Sequence, residues 1–145
     1  LGPEPLGTEW SGKRLHKSLQ GRNISIKSAL LDQKIVVGIG NIYASEILFR
    51  AGVSPKRLAK NVSEKMSIRI YEEAQIVLLT AIEAGGSTLK DGQFKQIDGN
   101  LGYFPHEFAV YDREDEVCTS VECSNTIKRV VQSGRSTFYC GRCQR

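Results

Sequence analysis

The residues whose types and spacing most directly imply chemistry are four cysteines, all within the last 28 positions of a 145-residue chain. Four residues separate Cys118 from Cys123, sixteen follow, and two separate Cys140 from Cys143. Two cysteine pairs brought together by a hairpin place four thiolates at the corners of a tetrahedron, the donor set that zinc accepts in structural sites. Sulfur fills every position, so no place is left for water and one structural zinc per chain is expected. A hairpin this short has little core of its own and depends on the metal to fold. The alternative is two disulfides in a secreted domain. It is disfavoured because the rest of the chain has no cysteine and shows no export signal. His16 and His106 are distant in sequence and read as surface or packing residues rather than ligands.

A second chemistry is suggested by charge. The net charge of +4 is modest, but residues 1–60 carry ten Lys/Arg against four Asp/Glu, residues 61–117 five against eleven, and residues 118–145 five against one. This order fits two basic surfaces that grip one polyanion with an acidic segment held away from it. Charge runs are also what ordinary solvated faces look like, and charge alone does not decide between the two. The composition, 40% hydrophobic and 25% charged, is that of a globular protein, and no apolar run approaches the roughly 20 residues of a membrane span. The chain opens Leu1, Gly2, Pro3, Glu4 without a methionine, which reads as a fragment cut at a domain boundary.

The elements that must position these groups are helical first and extended later. Thr8 is placed as the N-cap of a helix carrying Leu15 and Leu19, with Gly21 as its stop. Ser25 caps a second helix with Ile26, Ala29 and Leu30 on one face, ending near Gln33. The run from Lys34 to Asn41 holds two glycines within three residues and reads as a tight, partly buried turn rather than a strand. Asn41 then caps a helix over Ile42 to Ala51 that Gly52 closes, and Ser54 with Pro55 starts another short one. From Ser63 the longest helix carries Met66, Ile70, Ala74, Val77, Leu78, Ala81 and Ile82 toward a core, up to Gly85 and Gly86. Ser87 to Pro105 is a long glycine-punctuated connection. Phe108 to Tyr111, Thr126 to Val131 and Ser136 to Tyr139 read as strands, the last two forming a hairpin across Gln132 to Gly134.

On five segments the sequence resembles the C-terminal part of bacterial formamidopyrimidine-DNA glycosylase: LGPEPL at Leu1–Leu6, LDQKIVVGIGNIYASE at Leu31–Glu46, GGSTLKD at Gly85–Asp91, GYF at Gly102–Phe104 and GRSTFYCGRCQR at Gly134–Arg145. The resemblance implies a mainly α fold with a small β part. A helix-two-turns-helix domain (1–89) would be followed by a lesion-capping loop and connection (90–107) and by a four-Cys zinc β-hairpin finger (108–145). Two departures matter. The family's first cysteine pair usually encloses two residues where this chain has four, and the extra residues are expected to bulge outward without moving the sulfurs. The family's nucleophile, the amine of an N-terminal proline followed by a glutamate, is not matched by Pro3 and Glu4, because the nitrogen of Pro3 is an amide. The chain alone is therefore expected to lack glycosylase and lyase activity.

The resemblance also places functional residues. Gly40 and Asn41 would meet a phosphate at a helix N-terminus, although Asn41 as a simple helix cap is an equal reading. Arg22, Asn23 and Lys27 would add backbone contacts of the positioning kind, or stand solvated. Arg135, just past the hairpin tip, would act beside the damaged nucleotide during δ-elimination. A guanidinium scarcely loses its proton, so a clamp on phosphate charge is the better role. Tyr111 would reach a phosphate or serve as core. The loop Ser87–Tyr103 would close over a base extruded from the stack. The implied partner is double-stranded DNA with a damaged base, bound by a monomeric, cytoplasmic, nucleoid-associated protein with no membrane contact. Other readings are an endonuclease VIII-type region for oxidised pyrimidines, a stand-alone non-catalytic DNA-binding zinc module, and a purely structural zinc protein.

Overall fold

The computed structural model describes residues 1–85 and 108–145. The expected lesion loop over 87–103, and with it the whole 90–107 connection, lies outside the described residues. The remainder is mainly helical with a small β part. It comprises α1 (Gly12–Leu19), α2 (Ile26–Leu31), α3 (Asn41–Ala51), a 3-10 turn (Ala59–Asn61), α4 (Glu64–Gly85), β1 (Lys128–Gln132) and β2 (Arg135–Tyr139).

Helix α1 starts later than the sequence suggested. The cap is Ser11, whose hydroxyl accepts from the Arg14 N–H at 3.0 Å, not Thr8. Trp10 explains the shift: its ring is buried against Tyr71. That fixes position 10 as the residue before the cap, with Leu15 four positions into the helix in the same core, the arrangement of a hydrophobic staple. Helix α2 is capped by Ser25 as expected, its hydroxyl accepting from the Ser28 N–H. The 34–40 stretch is indeed a turn, with Ile35, Val36 and Ile39 all buried. Asp32 organises it, its carbonyl accepting from Ile35 and Val36 and its carboxylate from the Lys34 N–H.

After α3, the anticipated helix at Ser54–Pro55 is replaced by a turn. The backbone of 57–60 is already committed to residues 22–26, through Ile26 N–H to Arg57 O, Ala59 N–H to Ile24 O and Lys60 N–H to Arg22 O. Helix α4 begins after Ser63, whose hydroxyl accepts from Met66 N–H. It buries Ser67, Ile70, Ala74 and Leu78. Ile82, expected in the core, is 39% exposed. No described helix is long and apolar enough to cross a membrane.

Helices α1 and α4 meet at Gly12, where an added Cβ would lie 2.6 Å from the Ile68 Cα. Alanine normally gains about 1 kcal/mol over glycine within a helix. Here the obstruction is helix backbone, so Gly12→Ala should destabilise, by about 1–3 kcal/mol. Thermal unfolding followed by tryptophan fluorescence checks the sign, and a variant more stable than the parent would show that the helices separate without cost.

The β part is one antiparallel hairpin pairing Gln132 with Arg135 and Lys128 with Tyr139. Its two-residue turn has positive φ at both Ser133 (49°) and Gly134 (78°), the signature of a type I′ connection. Phe108–Tyr111, expected as a strand, is not one. The amide hydrogens of Ala109, Val110 and Tyr111, which a ladder would use, all point at one carboxylate, that of Glu46. A small second core of Val110, Cys118, Ile127, Phe138 and Cys140 sits beneath the hairpin. Tyr111 packs on both cores, edge-on to Phe108 and Phe138.

Candidate metal centre and nucleic-acid interface

Helix α3 holds the C-terminal unit at three places along its length. At its start, Asn41 Nδ2 donates to the carbonyl of Ser136 at 2.9 Å. In its middle, Glu46 Oε1 accepts from Ala109 N–H at 2.8 Å, and Oε2 accepts from Val110 at 2.9 Å and Tyr111 at 2.8 Å. At its end, Arg145 N–H donates to Gly52 O and Gln144 Nε2 to Val53 O. The left-handed conformation of Gly52 (φ 75°) turns the chain away there. Only the first of these is a functional position that the sequence singles out. Glu46 was not singled out from the sequence; the only signal there is a lone acid among Tyr43, Ala44, Ile47 and Leu48.

The four cysteines converge. Their Sγ atoms all lie within 4.8 Å of one another. Cys118 and Cys143 stand 3.8 Å apart, and Cys123 and Cys140 3.7 Å. A disulfide needs about 2.05 Å, and all four thiols are free. Sulfurs bonded at about 2.3 Å to a tetrahedral zinc lie about 3.8 Å from one another, the separation seen in the Cys118–Cys143 and Cys123–Cys140 pairs. The donor set and its size therefore fit one structural zinc, with no position open to solvent. The hairpin brings Cys140 and Cys143 to the centre, and Gln144 fixes the first of them, its Oε1 accepting from the Cys140 N–H. On the other side the two additional residues of the first pair do bulge outward. Val121 is 91% exposed, and the Cys118 amide still reaches Asn125 O at 2.7 Å.

The second constellation lies between α2 and the hairpin. Lys27, whole-residue exposure 1%, donates from Nζ to Asn41 Oδ1, to Thr137 Oγ1 at 2.7 Å and to Ser136 O at 3.3 Å. Burial, and after it the neighbouring Arg135 guanidinium, lowers the Lys27 pKa from 10.5 to about 8. Lys27 and Arg135 line one open cavity of about 210 Å³ with Ser28, Leu31, Asp32, Gln132 and Ser133. Arg135 is exposed, and among the described residues no hydrogen bond or ion pair engages its guanidinium.

Asn41 does not cap α3. The N-cap is Gly40, which has no side chain to give the first turn, and the Asn41 side chain is spent on Lys27 and Ser136 instead. Gly40 is exposed with open space where a Cβ would stand. Gly40, Asn41, Lys27 and Arg135, all expected from sequence, are thus brought together, along with Thr137, which the sequence reading did not single out. Arg22 and Asn23 are exposed and stand outside this group. The Arg22 guanidinium folds back on Ser18 O at 2.6 Å. Tyr111 is a packing residue between the two cores.

Comparison with known proteins bears on both constellations. Residues 1–93 match the family described as the formamidopyrimidine-DNA glycosylase H2TH domain. The chain belongs to that family. Residues 115–145 match the zinc finger found in FPG and IleRS, so the four thiols are the centre of a recognised finger. A formamidopyrimidine-DNA glycosylase of Ruegeria pomeroyi is 54% identical over all 145 residues, and one of Azorhizobium caulinodans is 48% identical. The chain spans about half the length of these relatives, 50% and 51%. Among solved structures, the MutM (Fpg) protein of Thermus thermophilus superposes with a TM-score of 0.85 at 42% identity, covering 99% of this chain and 53% of that one. The Lactococcus lactis Fpg bound to DNA containing an abasic site superposes with 0.84 at 29% identity, covering 100% and 52%.

Proposed function

We propose that this chain is the C-terminal, DNA-gripping part of a bifunctional DNA glycosylase and AP lyase that excises oxidised purines, with its bond-breaking residues in the other half of the full-length protein. The observation that carries the reading is the convergence of Lys27, Asn41 and Arg135 beside the bare N-cap of α3. Two cations, a helix N-terminus and an uncapped first turn make a place for a phosphodiester. That solved relatives hold abasic-site DNA supports the same partner. The units follow as a DNA-binding helical domain over 1–89, a lesion-capping connection over 90–107 and a zinc finger over 108–145. Arg135 clamps phosphate charge as the strand breaks, since its proton is not available for transfer. Gly40, Asn41 and Lys27 set the adjoining phosphate, while Arg22 and Asn23 add outlying backbone contacts. The binding species is a monomer on double-stranded DNA with a damaged base.

Backbone contacts of this kind carry affinity without sequence information, and each phosphate neutralised contributes roughly 0.9 log units of affinity per log unit of salt. Arg135→Ala should weaken binding to an abasic-site duplex and flatten the salt slope by about one contact. Fluorescence anisotropy titrations between low and moderate salt test this. Unchanged affinity and slope, with zinc content and helical signal at parental values, would remove Arg135 from the interface and with it the reading of this cavity.

A further inference from the structure

The hydroxyl of Thr137 is fully buried and sits on the facing side of the Lys27 ammonium, 2.7 Å away. The same ammonium reaches Asn41 Oδ1, and Asn41 Nδ2 returns to the carbonyl of Ser136. The result is a closed polar circuit joining α2, α3 and β2, one residue from Arg135. Arg135 has no other tether among the described residues beyond its strand pairing with Gln132. We propose that Thr137 is a positioning residue for DNA binding: its hydroxyl fixes the Lys27 ammonium, and through Asn41 and the Ser136 carbonyl this circuit sets where Arg135 is presented beside α2. The inference rests on the DNA-binding reading of the cavity that Lys27 and Arg135 line.

Chemistry separates this role from packing. Lysine and asparagine here are a donor set that needs acceptors, and the Thr137 oxygen is one of three on Lys27. A side chain kept only for shape would be replaced without loss by valine, which has the same branching, similar volume and at least equal preference for a strand. Serine is the opposite substitution, since it keeps the oxygen and loses the methyl. A packing role therefore ranks valine above serine, and the proposed role ranks serine above valine. Among the described residues, the charged groups that line this cavity with Lys27 are Arg135 from β2 and Asp32 from the end of α2. From α3, the hydrogen-bond partner of Lys27 is the neutral Asn41.

The test uses the 145-residue chain, its Thr137→Val and Thr137→Ser variants, and an abasic-site duplex. Binding is measured by anisotropy, and Lys27 is titrated by NMR of its side-chain Cε and Hε signals, assigned with Lys27→Arg. Thr137→Val should bind about tenfold more weakly, on the scale of one lost hydrogen bond to a charged group. Its Lys27 should titrate about one unit lower than in the parent, because an acceptor that favours the ammonium has gone. Thr137→Ser should restore most of both. Parental binding and parental Lys27 titration in Thr137→Val, or serine worse than valine, would overturn the inference while leaving DNA binding intact. A parent chain that fails to bind the duplex would instead sink the DNA reading, and the Lys27 titration would still decide whether Thr137 holds it.

Discussion

Stripping the metal from the four-thiol centre should unfold the 108–145 unit while the helical core of residues 1–85 stays folded. The second core consists of Val110, Cys118, Ile127, Phe138 and Cys140, two of which are themselves thiols of the centre. A single two-stranded hairpin is marginal in water, and the apparent free energy of a structural zinc in finger peptides is about 10–16 kcal/mol at neutral pH. No comparable source of stability exists within the hairpin, so the metal decides whether it folds. Residues 1–85 have their own core of some twenty side chains from Trp10 to Leu78. The sequence has one tryptophan, and it lies in that helical core against Tyr71, which makes its emission a reporter of the helical part alone. On chelation with a thiol-blocking reagent present, one zinc per chain should be released and amide protection should vanish across Lys128–Tyr139, while Trp10 emission holds. Cys140→Ala should purify with little or no zinc and show the same pattern. Metal-free protein with two disulfides, or hairpin amides still protected after chelation, would overturn the assignment.

The parts of this molecule that were legible in the sequence are those governed by local rules. Ser25, Gly52 and the Ser133–Gly134 turn stand where capping and turn chemistry put them, because each involves residues within four positions of one another. The thiol centre was legible because spacing alone fixes what two cysteine pairs on a hairpin can do. Thr8 failed as a cap for a tertiary reason: burial of Trp10 against α4 overrode a local preference. The strand expected at 108–111 failed for a stronger one. Three consecutive amides there are satisfied by Glu46, more than sixty residues earlier. The role of Asn41 was half legible. Its type and place beside the glycine turn marked it as a polar residue with work to do, but its partner Ser136 lies 95 residues away. No periodicity or motif spacing reports a bond across that separation. The resemblance to a known family carried Arg135 and Asn41 to the same place, whereas Thr137 and Glu46 emerged only from the contacts.

Glu46→Ala should cost this protein several kcal/mol of stability, on the scale of a large core truncation. Glu46 is 5% exposed as a residue, and its carboxylate accepts three backbone hydrogen bonds, all from the segment that enters the finger. Among the described residues no cation pairs with it, so these amides are its principal compensation for burial. Alanine would leave the N–H groups of Ala109, Val110 and Tyr111 without an acceptor on that side. Each buried, unmet donor costs about 1–3 kcal/mol, and allowing for water entering the gap the total should be about 3–5 kcal/mol. Glutamine should cost less, about 2 kcal/mol: its single carbonyl can keep the two bonds now made by Oε2, while its NH₂ faces the Ala109 N–H donor to donor. The loss reaches function through Tyr111, which this anchor holds between the two cores against Phe108 and Phe138. With the anchor gone, the finger is no longer seated on the middle of α3, and DNA affinity should fall in both variants in the order of their stabilities. Urea unfolding, with hydrogen exchange at residues 109–111, measures the effect directly. If Glu46→Ala unfolds within about 1 kcal/mol of the parent and those three amides keep their protection, the carboxylate is not what holds the finger to the helical domain.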